Sequence, residues 1–226
     1  LSLRKKKFDV SFYPYPNVNI MSALMGAAIG AKTRVNFAYN FLGMNGHLDT
    51  ISITPDLEKH DIDKNFDLLK PFNLRVYSKK PFINITKDDE KYVNRLLAGR
   101  LDKNDLLIGM HVGSKEAMRI WPTENFAFLA EQLLREKNIK LVLVGTGIEM
   151  SLIKNFREFK NPKIINLIKK TNISQTTALI SKCRLFITTD SGPMHMAVSA
   201  GTKVIAIYLG PHIKRTAPYG KEHIVF

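Results

Sequence analysis

The chain has 226 residues, 45% hydrophobic and 24% charged, with a formal net charge of +14. That length and balance are those of a globular protein with one large domain or two small ones, each able to bury a core. No apolar run reaches membrane-spanning length, and a single cysteine, Cys183, excludes an internal disulfide and fits a reducing compartment. The basic excess admits three partners: nucleic acid, an anionic membrane surface or an anionic small substrate. Apart from Arg4-Lys5-Lys6-Lys7 the basic residues are scattered, and no RNA-recognition aromatics, zinc spacing or helix-turn-helix pattern occurs. Nucleic acid is therefore not the expected partner. The basic run is followed by Phe8-Asp9-Val10 and not by an apolar stretch, so it is not read as a secretory leader.

In chain order, residues 8–13 read as a strand ended by Pro14 and Pro16, and residues 20–30 as a small-residue helix stopped by Gly30. Residues 34–39 read as the next strand, with a loop running to His47, and residues 48–53 as a short extended piece. Residues 61–69 read as a helix whose first turn holds Asp61 and Asp63. Those acids are expected to complement the helix dipole and not to bind a metal. Pro71, Pro81 and Ser78-Lys79-Lys80 mark a loose passage, which sets the expected division at residues 1–86 and 87–226. Residues 88–101 show helical periodicity through Val93, Leu96, Leu97 and Leu101. After it, strands at 106–112, 140–144, 164–168 and 185–189 alternate with helices at 123–137, 148–159 and 174–183. That alternation predicts a Rossmann-like, doubly wound parallel sheet.

In such a sheet the loops after the strands gather along one edge, and three of them carry chemistry. The first contains His111-Val112-Gly113-Ser114 and Arg119-Ile120-Trp121-Pro122. Ser114 offers a hydroxyl and Arg119 a fixed charge that can grip phosphate with two bonds. Trp121-Pro122 reads as a packing plug at the helix start. The second loop is Gly145-Thr146-Gly147 with Glu149. Its glycines would let a nucleotide lie on the backbone, and Glu149 would either accept from ribose hydroxyls or complement its helix.

The third loop is Thr188-Thr189-Asp190-Ser191-Gly192-Pro193-Met194-His195, between an apolar strand and a small-residue helix. Ser191 is the expected N-cap, Gly192 permits close approach to the backbone and Pro193 suits the first turn. The amides from Ser191 to Met194, with the positive end of the helix dipole, suit a phosphate beside Asp190. A serine hydrolase is not favoured. Asp190, Ser191 and His195 share one turn, and no Gly-x-Ser-x-Gly elbow surrounds the serine.

Taken in this order, these residues resemble the heptosyltransferase-type glycosyltransferases of family 9. The similarity continues through Gly201-Thr202-Lys203-Val204, Gly210-Pro211 and Pro218-Tyr219-Gly220, and Gly30-Ala31-Lys32-Thr33-Arg34 resembles the family's N-terminal domain. The resemblance implies a GT-B architecture whose C-terminal domain, residues 87–226, holds a nucleotide-sugar donor. It implies transfer of heptose from ADP-heptose to a lipid-linked, lipopolysaccharide-core acceptor, with inversion and without a metal or other cofactor. Ser114, Arg119, Gly145, Thr146, Glu149 and the turn from Asp190 to Met194 would hold the donor, and His195 would order that turn. The implied location is cytoplasmic, with peripheral contact at the inner face of the inner membrane.

Two departures stand out. Lys169 occupies the place of a family glycine in Asn166-Leu167-Ile168-Lys169-Lys170-Thr171. The family's first strand and its Gly-Asp loop have no counterpart before Leu1, so the general base is expected upstream and the N-terminal domain is expected to be incomplete. The rival expectations are a GT-B-like transferase or epimerase that uses a UDP- or GDP-sugar, and a non-catalytic nucleotide-binding fragment.

Overall fold

A computed structural model describes residues 2–16, 19–38, 48–153 and 161–226. The chain forms two compact units, Leu1–Lys79 and Lys80–Phe226.

The first unit holds β1 (Val10–Phe12), α1 (Ile20–Ile29), β2 (Thr33–Phe37), β3 (Ile51–Ile53) and α2 (Asp61–Asp67). Its three strands are parallel, in the order β1-β2-β3. Val35, Phe37 and Leu68 are buried among Val10, Ile51, Ile53 and Phe72. Helix α1 starts where the Asn19 side chain accepts from the Ser22 amide at 2.9 Å. It stops at Gly30, whose φ of 75° is a conformation that costs glycine little. Strand β2 ends at Phe37, and Tyr39 and the loop to His47 lie outside the described residues. The two acids of α2 each meet a lysine. Asp61 lies 2.7 Å from the buried Lys64 ammonium, which also sits 4.0 Å above the Tyr15 ring, and Asp63 lies 2.6 Å from Lys79.

In the second unit α3 (Lys87–Leu97) opens on a capping box between Thr86 and Asp89. It ends four residues before the expected position because Ala98 leaves helical geometry and Gly99 is left-handed. There follow β4 (Leu106–His111), α4 (Thr123–Leu134), β5 (Ile139–Leu143), α5 (Ile148–Leu152), β6 (Ile164–Asn166) and α6 (Ile173–Ile180). The chain continues through β7 (Leu185–Thr189), α7 (Gly192–Ala200), β8 (Val204–Ile207), α8 (Ile213–Thr216) and β9 (Ile224–Val225). The helix expected to reach residue 159 is described only to its end at Leu152, and residues 154–160 lie outside the described residues.

All six strands are parallel, in the order β6-β5-β4-β7-β8-β9. Their side chains alternate between two cores, as period-two strands require. Val142, Val144 and Phe186 join Val93, Leu97 and Leu179 on one face, while Leu141, Leu143 and Ile187 join Phe126, Ala130 and Leu134 on the other. Gly109 in β4 lies against the Phe186 ring, so the close fit on that face needs a residue without a side chain there. The order reverses between β4 and β7: the chain winds from β4 to β5 and β6 in one direction, and from β7 to β8 and β9 in the other. The switch point of the sheet therefore lies between β4 and β7, and it is at the carboxyl ends of strands at such a point that open α/β sheets take ligands.

Candidate functional site

His111 is the last residue of β4, and Asp190 directly follows β7, so the switch in strand order places them side by side. Side-chain contacts join the two loops. Ser114 Oγ donates to the Asp190 carbonyl at 3.3 Å, and Thr189 Oγ1 donates to the Gly113 carbonyl at 2.7 Å. Arg119, at the end of a 3₁₀ turn from Ala117 to Arg119, places Nη1 3.0 Å from Asp190 Oδ2. Ser191 Oγ lies 3.2 Å from His111 Nδ1. The Asp190 side chain is almost fully enclosed, at 7% exposed, while that of Arg119 is 26% exposed and also holds Glu116 at 2.9 Å. Asp190 is thus an enclosed anchor for a partly exposed guanidinium.

The turn from Ser191 to Met194 opens α7 as the sequence indicates, with one difference. Ser191 occupies the N-cap position in extended backbone, but its hydroxyl makes no capping bond to the helix. It turns inward to His111, to Thr188 Oγ1 at 3.0 Å and to the Thr189 carbonyl at 3.1 Å. Gly192 faces open space: a β-carbon there would meet nothing within 4 Å. Pro193 is in the first turn, Met194 is fully buried in the core and His195 is exposed on the helix surface. An exposed backbone at a helix N-terminus, uncapped by its own serine and next to an arginine, suits an anion.

The loop after β5 leads into α5, whose first turn holds Glu149. Thr146 is exposed, but Glu149 folds inward and is 4% exposed. Its Oε1 lies 3.0 Å from His111 Nε2, and its Oε2 accepts from the Gly147 amide at 2.8 Å. Burial by itself would raise this carboxyl. The His111 bond and the backbone amides outweigh burial and hold its pKa at about 2. Gly113 and Gly145 both line the carboxyl, and a β-carbon on either would collide with it. These glycines make room for Glu149. Lys169 donates its amide to the Gly145 carbonyl at 2.9 Å and adopts φ 63°, a left-handed conformation unusual for a residue with a side chain. Its aliphatic stem lies against Gly147.

Trp121 packs edge-on against Phe126, with ring centroids 4.9 Å apart, as a plug at the start of α4. Tyr208, just beyond β8, donates to the Thr216 carbonyl at 2.6 Å, and burial pushes its phenol upward. Neither its part nor that of His111 was singled out from the sequence. The signal available for His111 was a histidine at the carboxyl end of an apolar strand. Among the described residues no group of three or more His, Cys, Asp or Glu side chains could hold a metal ion, and no helix is long and apolar enough to cross a membrane.

The family model for glycosyltransferase family 9 (heptosyltransferase) matches residues 2–226. The chain belongs to glycosyltransferase family 9. The lipopolysaccharide core heptosyltransferase OpsX of Haemophilus influenzae is 32% identical over 137 residues, which cover 60% of this chain and 38% of OpsX. The family 9 glycosyltransferase of Veillonella parvula superposes with a TM-score of 0.84 at 24% identity, over 99% of this chain and 66% of that one. The Escherichia coli ADP-heptose lipopolysaccharide heptosyltransferase II superposes with a TM-score of 0.79 at 22% identity, over 100% of this chain and 70% of that one. These superpositions bear on the fold, which is α/β of the GT-B type. The chain spans about two thirds of the Veillonella parvula protein, and the stretch aligned to OpsX is well under half of that protein.

Proposed function

We propose that the intact protein is an inverting glycosyltransferase that moves heptose from ADP-heptose to a lipopolysaccharide-core acceptor, and that the second unit of this chain holds the donor. The observation that carries the reading is the open first turn of α7 at Gly192, set beside the guanidinium of Arg119 at the switch in strand order. In the proposed reaction an acceptor hydroxyl attacks the anomeric carbon while the bond to the β-phosphate oxygen breaks, and a general base takes the hydroxyl proton. The departing ADP gains negative charge. A preorganised guanidinium and helix amides stabilise that charge without a cation. Arg119 uses Nε and Nη1 for Glu116 and Asp190, which leaves the Nη2 hydrogens for phosphate.

The test is calorimetric titration of the chain with ADP, UDP and GDP without metal, on wild type and Gly192→Ala. Gly192 has ordinary backbone geometry and open space around it, so the added methyl should leave the melting temperature unchanged. If the phosphates rest on this backbone, the same methyl should weaken ADP binding by about tenfold or more, the scale of one displaced charge-assisted hydrogen bond. Preference for UDP or GDP would change the donor and favour the rival transferase or epimerase. Absence of binding by all three would remove the donor-site reading.

Peripheral contact with an anionic membrane is the second part of the proposal. Met21, Leu24 and Met25 are exposed on one face of α1, and Leu3 and Phe8 are exposed on either side of the basic Arg4–Lys7 run. The Arg4 side chain lies against Gly30 at the end of α1. Apolar side chains flanked by lysine and arginine suit acidic lipid. Flotation with anionic but not zwitterionic vesicles, weakened by salt, is the expected result. Equal recovery with both vesicle types would count against it.

A further inference from the structure

One buried imidazole joins the two ends of this site. His111 is 4% exposed, and both of its ring nitrogens meet polar groups from other loops. An ionised carboxylate only accepts hydrogen bonds, so Nε2 carries the proton given to Glu149 at 3.0 Å. Nδ1 faces Ser191 Oγ at 3.2 Å and Thr188 Oγ1 at 3.4 Å. With both nitrogens engaged, the ring cannot rotate without breaking a bond on each side, and buried polar groups are costly when left unpaired.

We propose that His111 is a positioning residue of the donor site. It fixes the β5–α5 loop through Glu149 and the first turn of α7 through Ser191, so that the two loops keep one separation. It also diverts the Ser191 hydroxyl from its capping role, so that backbone amides and not a side chain meet the phosphates. This inference rests on the donor reading above: Glu149 would stand near the nucleoside end and Ser191 near the phosphate end, with His111 coupling them.

The experiment is ADP titration of the full chain as wild type, His111→Asn, His111→Gln, Ser191→Ala and Glu149→Gln, with thermal unfolding of each. Asparagine keeps a polar atom near the Nδ1 position and glutamine one near Nε2, so each preserves half of the brace. Both are expected to lose affinity by about tenfold. Ser191→Ala and Glu149→Gln together should cost less than the product of their separate effects in the wild-type background, and should become independent in His111→Asn. Variants of His111 that lower the melting temperature yet bind ADP within about twofold of wild type would overturn the proposal. If wild type binds no nucleotide, the donor reading fails, and imidazole ¹⁵N resonances then judge the brace. Ser191→Ala must move Nδ1 and Glu149→Gln must move Nε2. Resonances that ignore both substitutions overturn the coupling itself.

Discussion

Arg119→Ala is expected to weaken ADP binding by about 10- to 100-fold, the range of one or two hydrogen bonds to a charged group. Two effects act in the same direction. The proposed guanidinium contact with phosphate would be lost, and the enclosed Asp190 carboxylate would lose its partner at 3.0 Å and repel an incoming anion. Arg119→Lys should fall between, because an ammonium keeps the charge but not the planar fork that holds Asp190 and a phosphate together. A further substitution separates the two effects. Asp190→Asn in the Arg119→Ala background should recover the part that comes from repulsion and none of the part that comes from contact. The measurement is calorimetric titration at fixed salt, and unchanged affinity in Arg119→Ala would remove Arg119 from the donor site.

The second large effect is on stability. Glu149 has a folded pKa of about 2 against an ordinary value of 4.5, so the native state holds the ionised form more strongly than the unfolded chain does. The sign follows from the depressed value. The contribution is complete above about pH 5 and is lost as pH falls towards 2, with a total of about 3 kcal/mol. Glu149→Gln cannot titrate and should show a flatter stability profile across that window, with its greatest deficit near neutrality. Asp67, Asp89 and Glu222 are also held below the usual carboxylate range, but they are present in both proteins and cancel in the difference. Urea unfolding from pH 3 to 7 makes the comparison. Parallel curves for the two proteins would show that the His111–Glu149 bond does not contribute in this way.

Much of the second unit was legible because its strands are apolar runs closed by glycine, proline or a capping residue. β4, β5 and β7 lie within a residue or so of their expected places, and α7 begins at Gly192 and stops before Gly201. Such boundaries are local, and local chemistry writes them into sequence. β9 escaped notice because two residues have no periodicity. The inner organisation of the site was less legible. His111 meets partners 38 and 80 positions along the chain, and nothing in the spacing of three separate loops says which side chain turns inward. Glu149 has two sequence readings, ribose acceptor or dipole complement; it is the acid of the first turn of α5 and accepts from the Gly147 N-cap amide, as a dipole complement does, but the pairing with His111 was not foreseen. Gly145 illustrates the same limit. A glycine after a strand signals close approach, but the sequence does not say whether the approaching group is a ligand or a carboxylate of the same chain. Ser191 took its expected place and not its expected bond, because a histidine on a neighbouring strand competes for the hydroxyl.

The division between Lys79 and Lys80 leaves every residue from Ser114 to His195 in one unit with its own six-stranded sheet. The proposed donor-binding residues thus share a unit whose apolar clusters are distinct from the cluster of the other unit. On the proposed reading, exchange of chain at this border would keep the nucleotide site whole while replacing the other unit.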